Sequence, residues 1–342
     1  MKKKKRALIT GVTGQDGSYL AEYLVGKGYD VWGIMRRTSL DPLLRLTDLA
    51  VDRKIHLLYG NLRDSASLER ALEESKPDEI YNLAALSDVG ISFKCPEETM
   101  EINYFGLGRL IIEAIKVNPK VRIYQASTSE MFGKTKPPQN ENSPFHPVSP
   151  YGEAKLRAHE DYVLGYREKH NLFICSGILF NHESTRRGEH FVTRKISICL
   201  SQIKLGIRDH FSLGNLEAKR DWGFAGDYVK VMHMMLAQDA PKDYVIATGI
   251  SHSVRDFVEA ACRELDMPIT WKGKGLKEVG MNSKGKVILT ISKEFFRPVE
   301  VNYLCGDSTK ARRDLGWKPE VSFEGLVSMM VQFDLRRLQK TL

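Results

Sequence analysis

Tyr151 and Lys155 stand four residues apart in Ser149-Pro150-Tyr151-Gly152-Glu153-Ala154-Lys155, and Thr128-Ser129-Glu130 precedes them. Residues at i and i+4 share one face of a helix. An ammonium beside a phenol favours the phenolate and lowers the phenol's pKa. A free tyrosine titrates near pH ~10, too high for a base at neutral pH without that help. The expectation is therefore a phenolate base held by Lys155, with Glu130 as a second acid/base group, so that one site handles two different protons. Alone, Glu130 reads as a cap or surface carboxylate, and Tyr-x-x-x-Lys as a chance helix pair. Their order behind a cofactor-type turn is what gives them meaning.

That turn is Gly11-Val12-Thr13-Gly14-Gln15-Asp16-Gly17, between a first strand and a first helix. Glycines there permit a tight turn and close approach of the backbone to a pyrophosphate resting on the helix N-terminus. The bland alternative is a plain strand–helix loop. After the second strand come Arg36-Arg37-Thr38-Ser39. Acidic residues at this place bind a ribose 2′-hydroxyl, whereas arginine accommodates a 2′-phosphate, so the sequence predicts NADP over NAD. Asn61-Leu62 after the third strand could meet the adenine. Leu83-Ala84-Ala85 after the fourth supplies small residues where a cofactor must pass close.

Stepping outward, short β-branched runs alternate with helical stretches. Strands are expected at Arg6 to Thr10, Asp30 to Met35, Ile55 to Tyr59, Glu79 to Ala84, Arg122 to Ala126 and Leu172 to Leu179. Helices are expected at Ser18 to Lys27 and near 65–75 and 98–117. Such β-α-β alternation implies an α/β fold of the Rossmann type, with a doubly wound parallel sheet. Both Glu130 and Tyr151 then lie at the carboxyl edge, where ligands bind. After about residue 180 the alternation weakens into a smaller mixed α/β part, with helices at Phe191 to Lys204, Asp227 to Gln238, Val254 to Leu265 and Ser322 to Leu338. Lys272 to Lys286 reads as an exposed loop. The expected division is 1–180 for the dinucleotide domain with the catalytic residues and 181–342 mainly for substrate, some segments returning to the first.

The 342 residues are 42% hydrophobic and 27% charged, ordinary for a soluble enzyme. No apolar run approaches the roughly 20 residues of a membrane helix, and the opening lysines lead into a run too short for a signal core. Five widely spaced cysteines argue against a disulfide framework and for a cytoplasmic setting. No histidine spacing suggests a metal site. The net charge of +8 suits a polyanionic small ligand better than nucleic acid.

Three groups of segments carry a resemblance. The glycine turn, Tyr124 to Gly133 and Tyr151-x-x-x-Lys155 resemble the extended short-chain dehydrogenase family of sugar-nucleotide enzymes. Gly177 to Ser184 with Arg187-Gly188, Phe191 to Ile196, Leu213 to Gly223, Phe296 to Val301 and Leu315 to Pro319 are similar to its GDP-mannose 4,6-dehydratase branch. The resemblance implies catalytic roles for Thr128, Glu130, Tyr151 and Lys155. It implies cofactor contacts at His182 and Arg187, and substrate-nucleotide contacts at Asn181, Val192, Lys195, Gly214, Arg220, Arg297 and Glu300. It also implies a homodimer or homotetramer and a GDP-sugar substrate. The sequence departs from the pattern at Leu86-Ser87-Asp88, beside the cofactor and sugar, which leaves GDP-mannose and GDP-manno-heptose both open. A plain reductase or epimerase shares Tyr151 and Lys155 but does not need Glu130. A non-catalytic dinucleotide-binding protein needs none of the three.

Overall fold

Five residues, Arg6–Thr10 (β1), open the chain as a buried strand and run directly into the glycine turn. In the computed structural model, which describes residues 4–39, 43–47, 50–296, 299 and 301–342, β1 lies near the middle of a seven-stranded parallel sheet. Its companions are β2 (Asp30–Met35), β3 (His56–Tyr59), β4 (Glu79–Asn82), β5 (Arg122–Thr128), β6 (Ile174–Leu179) and β10 (Tyr244–Ile246). Their order is β10-β6-β5-β4-β1-β2-β3. The switch in direction beside β1 opens the crevice that this topology uses for ligands.

Strands buried on both faces read as near-continuous apolar runs, as Ala7-Leu8-Ile9 and the wholly buried β6 do. Helix α1 (Gln15–Gly26) packs on one face and Gly106–Val117 on the other. The expected strands are all present, two with the expected bounds and four with one end moved by one or two residues. α1 begins three residues earlier than expected, because Gly14 serves as its N-cap. The helical pattern near 98–117 is Pro96–Met100, a π turn at Glu101–Phe105, and Gly106–Val117.

The second half adds two small sheets. One is β11 (Ser251–Ser253), β9 (Lys219–Phe224) and β7 (Asn181–Glu183). The other is β12 (Ile269–Lys272), β13 (Val279–Asn282), β14 (Val287–Ile291) and β8 (Phe211–Leu213). Their core gathers Leu200, Trp222, Phe257, Leu289 and Met330. The loop reading of Lys272 to Lys286 is corrected by β13, which pairs antiparallel with β12 and β14. Its Gly and Lys residues obscured a strand that is only half buried. β10 crosses back from the second half to pair in parallel with β6.

Candidate active site

The glycines of the turn have separate physical tasks. Gly11 has φ +69°, and a Cβ there would meet Ala84 Cα at 2.9 Å. Gly14 donates its N–H to the Gly11 carbonyl at 2.9 Å. A Cβ on Gly17 would lie 2.2 Å from that same carbonyl oxygen, so only glycine lets α1 start this close to β1. Leu83 and Ala84 donate their N–H groups to Thr10 Oγ1 at 3.1 and 3.0 Å, fixing the small-residue segment against the turn. The result is the cradle a dinucleotide pyrophosphate requires: close backbone, no side chain, and the N-terminus of a twelve-residue helix.

The side chains of two members of the turn also bond within the chain. Gln15 Nε2 donates to Asp16 Oδ1 and to the His182 carbonyl, both at 3.0 Å, and its Oε1 accepts from Ser184 Oγ at 2.8 Å. Asp16 Oδ2 meets His182 Nε2 at 2.8 Å. These side chains fasten β7 to the turn. Arg45 does the same nearby, donating to the carbonyls of Arg186 and Thr13.

Beyond the carboxyl ends of β2 and β3, Arg36, Arg37, Tyr59, Asn61, Arg63 and Arg70 line an open cleft of about 690 Å³. Thr38 and Ser39 follow on the exposed loop, and Leu62 is buried beneath. Asn61 Oδ1 accepts from the Arg63 N–H, shaping the rim.

At the chemical end, Thr128 closes β5, and its Oγ1 accepts from the Glu130 N–H at 3.2 Å. Ser149 caps the helix Pro150–Arg157, receiving the Gly152 N–H at 3.1 Å, with Pro150 in the first turn. A Cβ on Gly152 would lie 2.7 Å from the Glu130 carbonyl oxygen, so a glycine is what brings Tyr151 beside Glu130. Thr128, Glu130, Tyr151 and Lys155 are all buried.

The electrostatics differ from the expected phenolate. Burial pushes the Tyr151 phenol up to about 12; its hydrogen bond with Thr128 and the charge of Arg187 pull it down, and Glu130 and Asp16 push it up. Burial holds Lys155 down at about 8, and its Nζ donates to the Ala126 carbonyl at 2.9 Å. In the protein alone, at neutral pH, the pair is therefore ammonium and phenol. Burial of the phenol thus opposes the expected phenolate in the protein alone, and the expected Lys155-held base belongs to the loaded site.

A chain of buried hydrogen bonds explains where Lys155 points. Thr10 Oγ1 donates to Asn82 Oδ1 at 2.6 Å, Asn82 Nδ2 to Gln125 Oε1 at 2.7 Å, and Gln125 Nε2 to the Ala126 carbonyl at 2.8 Å. Asn103 similarly brackets Leu86, accepting its N–H and donating to its carbonyl, both at 3.0 Å, and so steadies Ser87 and Asp88. Sequence reasoning passed over Asn82, Gln125 and Asn103. The available signal was an amide side chain inside an otherwise apolar strand or helix.

Asp88 caps the short helix Val89–Lys94 by accepting the Ile91 N–H at 3.0 Å, and its other oxygen lies 3.7 Å from His190 Nε2. Across the crevice, Arg187 Nε is 3.1 Å from Glu183 Oε2, and its guanidinium lies 3.6 Å from the Phe191 ring centre. Asn181 Oδ1 is buried without a hydrogen-bond partner among the described residues. Farther out, Lys195 Nζ sits 3.3 Å over the Phe295 ring, and a Cβ on Gly214 would lie 2.5 Å from the Phe295 carbonyl. Arg220 is buried on β9, while Val192 is exposed. Asp221, beside Arg220, accepts from the Thr248, Gly249 and Gly306 N–H groups and pins β9 in place. Arg297 and Glu300 lie outside the described residues.

The sequence model of the GDP-mannose 4,6 dehydratase family matches residues 8–330. The chain belongs to that family. A Drosophila melanogaster protein named GDP-mannose 4,6 dehydratase is 51% identical, the match covering 98% of this chain and 87% of that one. The human protein of the same name is 49% identical, covering 99% and 93%. Solved structures of other proteins share the fold at lower identity. DesIV, a dTDP-glucose 4,6-dehydratase from Streptomyces venezuelae solved with NAD and TYD, matches with TM-score 0.81 at 21% identity, over 98% of both chains. A UDP-glucose 4-epimerase from Bifidobacterium longum in complex with NAD+ and UDP gives TM-score 0.81 at 20% identity, again over 98% of both.

These structures correct the NADP expectation. The two just described hold NAD, as does the Thermus thermophilus epimerase of the same fold, while RMD from Pseudomonas aeruginosa is complexed with NADPH. The physical reason lies in exposure. Arg36 and Arg37 are exposed, and a guanidinium in water gains little from any one anion. Arginines at this edge therefore do not by themselves select a 2′-phosphate.

Proposed function

We propose that the chain is a GDP-mannose 4,6-dehydratase, a lyase converting GDP-D-mannose to GDP-4-keto-6-deoxy-D-mannose. One observation carries this reading: within this family the chain sets a buried Glu130 against Tyr151 through Gly152, beside Thr128. A reductase or epimerase needs the phenol but not that carboxylate.

When bound, a nicotinamide dinucleotide would supply the acceptor for the C4 hydride and its return to C6, leaving the cycle redox-neutral. Thr128 hydrogen-bonds the 4-oxygen while Tyr151, which the Lys155 charge and a bound cationic nicotinamide would favour as the phenolate, takes the 4-hydroxyl proton as the hydride leaves. The new ketone acidifies C5–H. Glu130 takes that proton and gives one to the departing 6-hydroxyl, which leaves as water, and C5 is reprotonated when the hydride returns to C6. Lys155 keeps a positive charge behind the phenol. Asn181, Lys195 and Arg220 hold the diphosphate and its nucleoside, with Gly214 keeping the approach open, as charge-assisted bonds to a pyrophosphate require.

Oligomerisation fits the same reading. Phe105, Ile112 and Leu164 expose large apolar side chains on neighbouring helices, a face suited to a second copy in a homodimer or homotetramer. Among the described residues no helix is long and apolar enough to cross a membrane.

The test is direct. Purified protein incubated with GDP-mannose yields a product lacking one water and bearing a 4-ketone, detected by mass spectrometry and carbon-13 NMR. Recovery of unchanged GDP-mannose, or of its C4 epimer, overturns the assignment. A kcat/KM for GDP-manno-heptose above that for GDP-mannose would transfer the reading to the heptose.

A further inference from the structure

A carboxylate in the first turn of a helix stabilises that helix, yet it repels any anion the same turn is shaped to receive. Asp16 occupies that position in α1. Its Oδ2 lies 2.8 Å from His182 Nε2, and His182 Nδ1 lies 2.8 Å from the Phe180 carbonyl oxygen. A carboxylate and a carbonyl both only accept. Both imidazole nitrogens must then carry hydrogen for these contacts to be bonds, which makes the ring an imidazolium.

We infer that His182 is a positioning residue whose fixed positive charge cancels Asp16 and so keeps the glycine turn receptive to a dinucleotide pyrophosphate. This inference rests on reading the turn as a dinucleotide cradle. It assigns His182 neither contact with the cofactor nor a proton in the reaction.

The groups around the ring fit this role. From α1, Asp16 faces Nε2, and Gln15 bonds the Asp16 carboxylate and the His182 carbonyl. From the helix Ala225–Leu236, the Tyr228 ring stacks on the imidazole at 4.6 Å and 23°. From the segment after β7, the Arg187 charge acts on both partners. Burial opposes the charge on His182, but Asp16 and the Phe180 carbonyl outweigh it, and the ring's pKa is raised above its ordinary value. Asp16 is held below the usual carboxylate range: burial opposes this, and His182 overcomes it. The neutralising charge comes from β7, which Gln15 and Asp16 fasten to the turn.

The experiment is a double-mutant cycle read by dinucleotide affinity rather than turnover. Wild type, His182→Asn, Asp16→Asn and the double variant are titrated calorimetrically with NAD and with ADP-ribose. His182→Asn leaves Asp16 uncompensated and weakens both ligands about 10- to 100-fold. The double variant recovers to within about fivefold of wild type. In parallel, nitrogen-15 histidine spectra of the wild type show both His182 ring nitrogens protonated at pH 7, above the ordinary imidazole pKa of ~6.5. Affinity then falls only as pH rises through the raised value. A neutral His182 tautomer at pH 7, a His182→Asn variant that binds as wild type does, or a double variant no better than His182→Asn would each overturn the inference. A wild type that binds neither ligand would overturn the dinucleotide reading and this inference with it.

Discussion

Lys155 donates its ammonium to the Ala126 carbonyl, 2.9 Å away, at the end of a buried amide chain that begins at Thr10. The lysine charge is thereby parked under the site at a cost to folding. Its folded pKa of about 8 lies below the ordinary lysine value of 10.5. Between these two values the unfolded chain binds the proton and the folded chain does not, so stability rises with pH across that window. Below pH 8 the full penalty applies, on the order of 3 kcal/mol.

Lys155→Met should therefore be more stable than wild type at pH 7 by about 2 kcal/mol, after about 1 kcal/mol is lost with the hydrogen bond. The advantage should disappear above pH ~10.5. The same variant should lose about 10²- to 10⁴-fold in kcat. Urea unfolding at several pH values measures the first effect, and a variant less stable than wild type at pH 7 would refute it.

Gly17→Ala places a Cβ 2.2 Å from the Gly11 carbonyl and 2.6 Å from Val12 Cα. Neither atom belongs to a flexible side chain, so the backbone must shift. The expected cost is about 1–3 kcal/mol in stability, with loss of dinucleotide binding in calorimetry. Gly26→Ala is the control, since nothing lies within 4 Å of a Cβ there. It should be neutral or slightly stabilising, by up to about 1 kcal/mol.

Gln125→Leu breaks the amide chain in its middle and leaves the Asn82 amide without its acceptor. A buried donor left unpaired costs about 1–3 kcal/mol. Replacing both residues together, Asn82→Leu with Gln125→Leu, should cost less than the sum of the single changes, because no amide is then orphaned there. Strict additivity in thermal unfolding would argue that the chain is not a coupled unit.

Much of this was legible in the sequence. Ala7-Leu8-Ile9 and Ile174 to Leu179 announce buried parallel strands by apolar continuity, and the glycine turn announces itself by spacing. Ser149-Pro150 marks the start of the catalytic helix. The strands of the second half were missed for a physical reason. Phe211–Leu213, Asn181–Glu183 and Ser251–Ser253 are three residues each, too short to show a period. Val279–Asn282 sits among Gly and Lys that signal a loop. The Lys155 contact was not legible either. Helical spacing puts Tyr151 and Lys155 on one face but says nothing of the Ala126 carbonyl waiting beneath. Likewise the Asp16 contact with His182 was not legible, because the two lie far apart in the chain.

The central claim is that Glu130 carries the proton between C5 and the 6-oxygen. Its most direct test is a single turnover of Glu130→Gln with GDP-mannose deuterated at C4. Tyr151, Thr128 and Lys155 are untouched, so deuteride should still leave C4 and reduced nicotinamide should accumulate. The 6-deoxy product should fall at least about 10²-fold, and no solvent hydrogen should enter C5. Formation of the 6-deoxy sugar at near wild-type rate would contradict the account.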